Sequence, residues 1–319
     1  MLSVGVIERI IMNLPTKTPL LMGIIYAAIN AFMLAVMSLY AKWLAAYFGP
    51  VEVTFFRNIF SLIALSMFLL YVRKLYLLKT KRPWAHIIRG AIGTTGIILG
   101  AWALAIMPLT ETTILLFTSP LFTVLISFAV LKEKFGIYRL GAVIFGFIGV
   151  VIVANPTADV NTLPLFGILI ALGWGFSSGC VDVCLRWLGS TENSMTTVFY
   201  FVLFGTIATG LHWPVAEIKP HSFSLDALWI IIGLGLTGLL SLLSKTQSYR
   251  LGEASIIAPV MYSMIIWTTI FDYIFWGKVP SANLIIGAAM IIASNIFILY
   301  RETRVKSDFS APECIHGDK

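Results

Sequence analysis

Leu109-Thr110-Glu111-Thr112-Thr113-Ile114 and Leu251-Gly252-Glu253-Ala254-Ser255-Ile256 read as two copies of one phrase. Each opens an apolar run broken by proline, Pro120 in the first and Pro259 in the second. Each run leads into a glycine-rich apolar segment, Leu140-Gly141-Ala142 answering Ile286-Gly287-Ala288. Outward from these phrases, the sequence offers ten apolar stretches: 20–42, 52–72, 84–106, 110–131, 139–155, 164–188, 194–212, 226–248, 253–276 and 281–301. Each approaches the roughly 20 residues that a helix needs to cross a hydrocarbon core of ~30 Å. Inside lipid every backbone N–H needs a partner in its own segment, so the stretches are expected to be helices.

The expected fold is all-α and integral to the membrane, with ten transmembrane helices in two five-helix repeats, 20–155 and 164–301. A segment 1–19 precedes them and a tail 302–319 follows. Five is odd, so the second repeat lies upside down relative to the first. Inverted repeats with helices interrupted in matching places are the pattern of secondary transporters, whose solute sits near the midplane between the halves. A duplicated scaffold without a transport role is the plainer reading of the same repeat.

Composition agrees. Of 319 residues, 59% are hydrophobic and only 12% charged, and mean hydropathy is +0.92. A soluble domain carries about twice that share of charge, and a disordered chain is polar. The net charge of +7 is read as basic loops facing the cytoplasm rather than as a nucleic-acid surface. Arg73, Lys74, Lys79, Lys81 and Arg82 follow the second stretch, and Lys132, Lys134 and Arg139 follow the fourth. Arg186, Arg250, Arg301, Arg304 and Lys306 close later even-numbered ones. The opposite loops hold Lys42, Lys219 and Lys278. Both termini are therefore expected on the cytoplasmic side. Glu8 and Arg9 interrupt the apolar stretch within residues 1–17 and speak against a cleaved signal peptide.

Three cysteines, Cys180, Cys184 and Cys314, make no disulfide framework. No metal site and no cofactor are expected: Cys180 and Cys184 share a helix with no His or Met pair, and small apolar filler explains them better than a soft metal. No Walker A sequence exists, and Gly90-Ala91-Ile92-Gly93 follows no strand. The energy source is then the solute's own gradient, an exchanged metabolite or a coupled ion.

Ionised side chains inside the stretches are the candidate site residues, since a guanidinium in lipid costs at least ~2.5–3.5 kcal/mol. Arg57 either binds a solute carboxylate or anchors at the membrane boundary. Arg89 has the same two readings, with the anchor favoured by the basic end on which it lies. Asp182 stands one turn before Arg186. It is a counter-charge for a cationic solute, a proton carrier, or half of a salt bridge. Asp272 near Lys278 reads as an interfacial salt bridge. The remaining wall candidates are Asn30, Thr118, Ser119, Trp174, Ser178, Gln247, Tyr262 and Trp267. Carbonyls freed by proline near Thr118 and Ser255 are candidates for solute contacts, and the aromatic rings for stacking on a flat or cationic ligand. Ordinary interhelical bonding is the alternative for each.

Gly175-Phe176-Ser177-Ser178-Gly179 matches G-x-S-x-G and raises an intramembrane serine hydrolase as the rival class. The strand-to-helix turn that motif needs is missing. His86, His212, His221 and His316 all fall at span ends, in loops or in the tail, away from Ser177.

Several phrases resemble the drug/metabolite transporter superfamily, in particular its ten-span EamA-type carriers. They are Pro50-Val51-Glu52-Val53-Thr54-Phe55-Phe56-Arg57, Arg82-Pro83 with His86 and Ile88-Arg89-Gly90, the run Ala103–Pro156 with Thr118-Ser119-Pro120-Leu121-Phe122 and Lys132-Glu133, Phe199-Tyr200-Phe201, Ala258-Pro259 and Tyr262. The likeness spans residues 20–301. It implies a carrier of a small polar solute in a bacterial inner membrane, with spans 1, 3, 4, 6, 8 and 9 as cavity walls. The solutes it implies are amino acids, riboflavin, S-adenosylmethionine or opine metallophores. Leu78-Lys79-Thr80-Lys81-Arg82-Pro83, His86 and Asp182 are most similar to the S-adenosylmethionine uptake carriers of this superfamily. One departure stands out: the acid that usually ends span 9 is Lys278 here, while Glu133 remains in the first half.

Overall fold

The computed structural model describes residues 17–73, 75–80, 82–131, 137–154, 164–188, 192, 194–212, 225–251 and 254–310. They form α1 (Lys17–Leu44), α2 (Pro50–Tyr71), α3 (Pro83–Ile106), α4 (Leu109–Leu116), α5 (Ser119–Leu131) and α6 (Ile137–Ala154). The second half holds α7 (Leu165–Leu188), α8 (Ser194–His212), α9 (Leu225–Leu251), α10 (Ala254–Met261), α11 (Ser263–Trp276) and α12 (Ala282–Ser310). A 3-10 turn covers Leu75–Leu78, and no strand occurs among the described residues. Among the described residues nine stretches are long and apolar enough to cross a membrane, and Met195–Leu211 is a shorter apolar helix. The protein is a multi-pass helical membrane protein. α12 continues past the expected end at 301 to Ser310.

The helix starts follow from the sequence. Pro50 and Pro83 stand in the first turns of α2 and α3, where the missing N–H costs no helical bond. Glu52 Oε2 reaches back to accept from the Gly49 N–H at 2.8 Å, so the Pro50–Glu52 phrase is a helix start as well as a family mark.

The fourth and ninth spans are each two helices. α4 and α5 meet at Phe117–Thr118, and α10 and α11 meet at Tyr262. Both joints are tightened by i+3 bonds: Thr118 N–H donates to Leu115 O, and Tyr262 N–H to Pro259 O. The prolines do not occupy matching places. Pro120 follows its joint, in the first turn of α5, whereas Pro259 lies inside α10 before its joint. The expectation that each proline breaks its span in the same way is thus corrected. A first-turn proline loses nothing, while Pro259 takes the donor from a turn already under way.

The two halves pack reciprocally. α1 packs on α9, α10 and α11 of the second half, and α7 packs on α3, α4 and α5 of the first. α2 lies on α8 and α9, and α8 on α2 and α3. The last helices, α6 and α12, lie against each other. Exchanging the halves maps each set of contacts onto the other. α6 turns Ala142, Val143, Gly146, Gly149, Val150 and Val153 inward, while Ile144, Ile148 and Val151 are exposed on its apolar outer face. The α3–α7 contact is equally close. The Trp174 ring lies across Gly100, where a Cβ would meet Cε2 at 2.6 Å.

Candidate functional site

The joints of the two broken spans meet. The rings of Phe117 and Tyr262 pack edge to face at 4.9 Å between centroids, and Tyr262 is buried. Asn295 of α12 donates from Nδ2 to Phe117 O at 2.8 Å. Thr118 Oγ1 turns back to Leu115 O at 2.6 Å, and the Leu115 and Leu116 carbonyls face Gly175 of α7. The Leu115 and Phe117 carbonyls of this joint are therefore bonded within the bundle. A buried carbonyl without a partner is too costly to keep open. The Ser255 side chain lies outside the described residues. Next to the joint, Asn30 of α1 donates from Nδ2 to Met261 Sδ at 3.0 Å and accepts from Ser241 Oγ at 2.7 Å. Its amide ties α1 to α9 and α10.

Asn30, Thr118 and Tyr262 thus belong to one layer around the joints. The other sequence candidates lie on α2, α5, α7, α9 and α11. Ser119 starts α5, with its carbonyl accepting from Thr123 Oγ1 at 2.9 Å. Trp174 is committed to Gly100. Trp267 packs edge to face on Phe32 at 4.9 Å. Ser178 and Gln247 are half-buried on α7 and α9. Asp182, half-buried on α7, lies within electrostatic range of Arg89 and Tyr249. The side chain of Arg186, its expected partner, lies outside the described residues. Arg57 donates from Nε to Met37 Sδ at 3.3 Å and from Nη1 to Asn58 Oδ1 at 3.3 Å.

Polar groups gather at both ends of the bundle. At the end bearing the Leu75–Leu78 turn, His86 lies 3.6 Å from Glu192 and stacks on Tyr200 at 4.9 Å. Glu192 also accepts from Thr80 Oγ1 at 3.0 Å, and Tyr200 donates to Leu78 O at 3.0 Å. Arg89, 4% exposed, lies 4.5 Å over the Phe201 ring, with Nη1 3.4 Å from Thr197 O.

At the opposite end, Asp272 is 2% exposed and caps α4. Its Oδ1 accepts from Leu109 N at 3.1 Å, and Oδ2 accepts from Thr110 N and Oγ1, each at 2.7 Å. The expected interfacial salt bridge with Lys278 is corrected: the carboxylate turns inward, where the α4 N-terminus offers free N–H groups and the positive end of the helix dipole. Lys42 serves the other side of the same turn. Its Nζ donates to Leu104 O at 3.0 Å and to Met107 O, at the negative end of α3. The α3–α4 turn is held between a cation of α1 and a carboxylate of α11. A cleft of about 510 Å³ beside it is lined by Lys42, Trp43, Tyr47, Asp272, Trp276 and Lys278, among others.

The family is now decided by a match along nearly the whole chain. The EamA-like transporter family model fits residues 21–155 and, a second time, 165–300. The chain belongs to the EamA-like transporter family. This transporter is 30% identical over 300 residues to an S-adenosylmethionine uptake transporter of Rickettsia prowazekii, covering 93% of its own chain and 98% of that one. It is 31% identical over 268 residues to a transporter of the same name from Rickettsia conorii, covering 83% and 87% of the two chains. A riboflavin transporter of Vibrio cholerae is 28% identical over 293 residues, 89% and 95% of the two chains. A solved crystal structure shares the fold with a TM-score of 0.60 at 17% identity, covering 91% of this chain and 99% of that one.

The protein is accordingly a membrane transporter of a small metabolite and not an enzyme. Ser177 of the hydrolase-like motif donates to Ile92 O at 2.6 Å, packed under Gly96. Ser177→Ala is expected to leave uptake within about twofold of the parent, since one buried neutral hydrogen bond contributes ~1 kcal/mol. A complete loss in a folded sample would contradict that role.

Sequence reasoning passed over Asn295, Met261 and Asn58. Asn295 follows Ser294 in an apolar run and carries no motif. The signal available was its amide inside a span, where a polar group needs a partner.

Proposed function

We propose that this carrier takes up S-adenosylmethionine, or a close zwitterionic relative, by alternating access across a bacterial inner membrane. Both termini lie in the cytoplasm, in keeping with the basic loops, and the two five-helix halves are inverted copies. The observation that carries the reading is the contact of the two interrupted spans at Phe117 and Tyr262. It places a weak point of each half in the same layer, flanked by the Asn30–Ser241 and Asn295–Phe117 bonds. Rocking of one half against the other around that layer exposes it to each side in turn. The substrate class follows the names of the relatives. Arg57, Asp182, Tyr262 and their neighbours read the solute's charges and ring, Asp182 as the counter-charge of a cation.

The test is uptake of labelled S-adenosylmethionine into proteoliposomes, with and without the same solute inside. Saturable uptake that is faster with internal solute supports both the substrate and an exchange mode. Absence of uptake by folded protein removes S-adenosylmethionine and leaves riboflavin, amino acids and opine metallophores to be tried in the same vesicles. Asp182→Asn is expected to weaken uptake of the cationic solute roughly 10- to 100-fold, the loss of one charge-assisted contact. Unchanged kinetics in a variant that elutes as a single peak would remove Asp182 from the site.

A further inference from the structure

We infer that Arg57, held by Asn58, is a subsite for a single carboxylate of the transported solute. The inference rests on the carrier reading above but not on which solute is carried. Two other cations of the described spans have strong acceptors: Lys42 has two carbonyls, and Arg89 has a carbonyl, an aromatic face and the nearby Asp182. Arg57 has a thioether sulfur and a neutral amide oxygen, both at 3.3 Å. Among the described residues no carboxylate lies within ion-pair distance of it. A guanidinium carries five N–H donors, so most of its capacity is unspent.

Two buried polar groups next to it are unpartnered. Asn58 is 0% exposed and its Nδ2 has no hydrogen-bond partner. Thr94 is 3% exposed and its Oγ1 has none either. Both border Gly205 of α8, where a Cβ would come 2.4 Å from Asn58 Nδ2 and 3.2 Å from Thr94 Oγ1. Arg57 itself faces the interior, beside Met37 of α1 and Gly238 of α9. A half-buried cation with surplus donors and no base is complementary to an anion. The planar fork suits the two oxygens of a carboxylate. One cation matches one negative charge, so a carboxylate fits better than a phosphate dianion. Asn58 is the positioning residue: its Oδ1 orients the guanidinium without neutralising it.

Asn58→Asp is the informative variant. It is nearly isosteric and supplies at position 58 the counter-charge that the site lacks. If the subsite takes a carboxylate, the new aspartate occupies it. Purified Asn58→Asp is then expected to melt at or above the parent temperature. Acetate, against chloride at equal ionic strength, is expected to raise the melting temperature of the parent but not of Asn58→Asp or Arg57→Gln. In vesicles, uptake of S-adenosylmethionine is expected to fall at least roughly tenfold in both variants. In the parent, the decarboxylated analogue is expected to compete at least about tenfold less well. An acetate response shared equally by all three proteins would overturn the subsite. So would full uptake in Asn58→Asp. If Asn58→Asp does not fold, the Arg57→Gln comparison decides alone. An Arg57-dependent acetate response without S-adenosylmethionine uptake would remove that solute and keep the subsite. Uptake that ignores both variants would remove the subsite and keep the carrier.

Discussion

Gly287→Leu is expected to yield no folded carrier. α6 and α12 approach so closely that a Cβ on Gly287 would fall 2.6 Å from Gly149 O and 3.1 Å from Val153 N. The reverse contact is as tight, a Cβ on Gly149 lying 2.9 Å from Gly287 O. These neighbours are backbone atoms of a helix and cannot rotate away as a side chain would. Overpacking with room to adjust costs ~1–3 kcal/mol, and this contact has no room. It is also the contact between the last helices of the two halves, pinned further along by Ser294 Oγ donating to Ala142 O at 2.5 Å. Separating them to admit a leucine breaks that bond and shifts Asn295 off the Phe117 carbonyl. The measurement is the size-exclusion profile of detergent-extracted protein. Loss of the single peak is expected for Gly287→Leu. Gly141→Ala on the same helix pair is the control, because a Cβ there meets nothing within 4 Å. A normal peak for Gly287→Leu would mean that the two helices are free to separate.

What the sequence made legible, and what it did not, divides along one physical line. Lipid requires an apolar stretch of fixed length for each crossing, so the spans and their ends could be read from hydropathy, α2 and α3 even from Pro50 and Pro83. The interruptions of spans four and nine could be read because the phrase around them is repeated. The facing of each helix could not. In these spans apolar residues cover both faces, so no periodicity says which way Trp174 or Trp267 points. Trp174 turned out to lie on Gly100 and Trp267 on Phe32. Long-range polar pairing was hidden for a different reason. Asp272 finds Leu109 and Thr110 across 163 and 162 residues of sequence, while the nearer Lys278 suggested a local salt bridge. Asn58 stands beside Arg57 in the chain, yet its importance appears only when the donors around Gly205 are seen together.

Asp272→Ala is expected to weaken both the fold and transport, with Asp272→Asn in between. The alanine leaves the Leu109 N–H, the Thr110 N–H and the Thr110 hydroxyl without their acceptor in a buried turn. Each unsatisfied group costs about 1–3 kcal/mol, against a whole-protein stability of ~5–15 kcal/mol. Asparagine restores one acceptor oxygen but removes the negative charge that the α4 dipole favours, and its NH2 cannot accept from Thr110. The order of melting temperatures is therefore wild type, then Asn, then Ala. Transport follows the same order for a separate reason. Asp272 lies on α11, and the turn it caps joins α3 to α4, so the carboxylate links the two halves at the end opposite the Leu75–Leu78 turn. Lys42 holds the same turn from α1 through Leu104 O and Met107 O. Removing the carboxylate leaves the turn held from one side, and a carrier that cannot close this end turns over slowly whatever it binds. Uptake by Asp272→Ala is expected to fall at least roughly tenfold, the scale of one lost buried charge-assisted contact, with solute binding to the purified protein less affected. Binding lost in proportion to uptake would place Asp272 in the solute site. A fall in melting temperature with normal uptake would leave it a helix cap and nothing more.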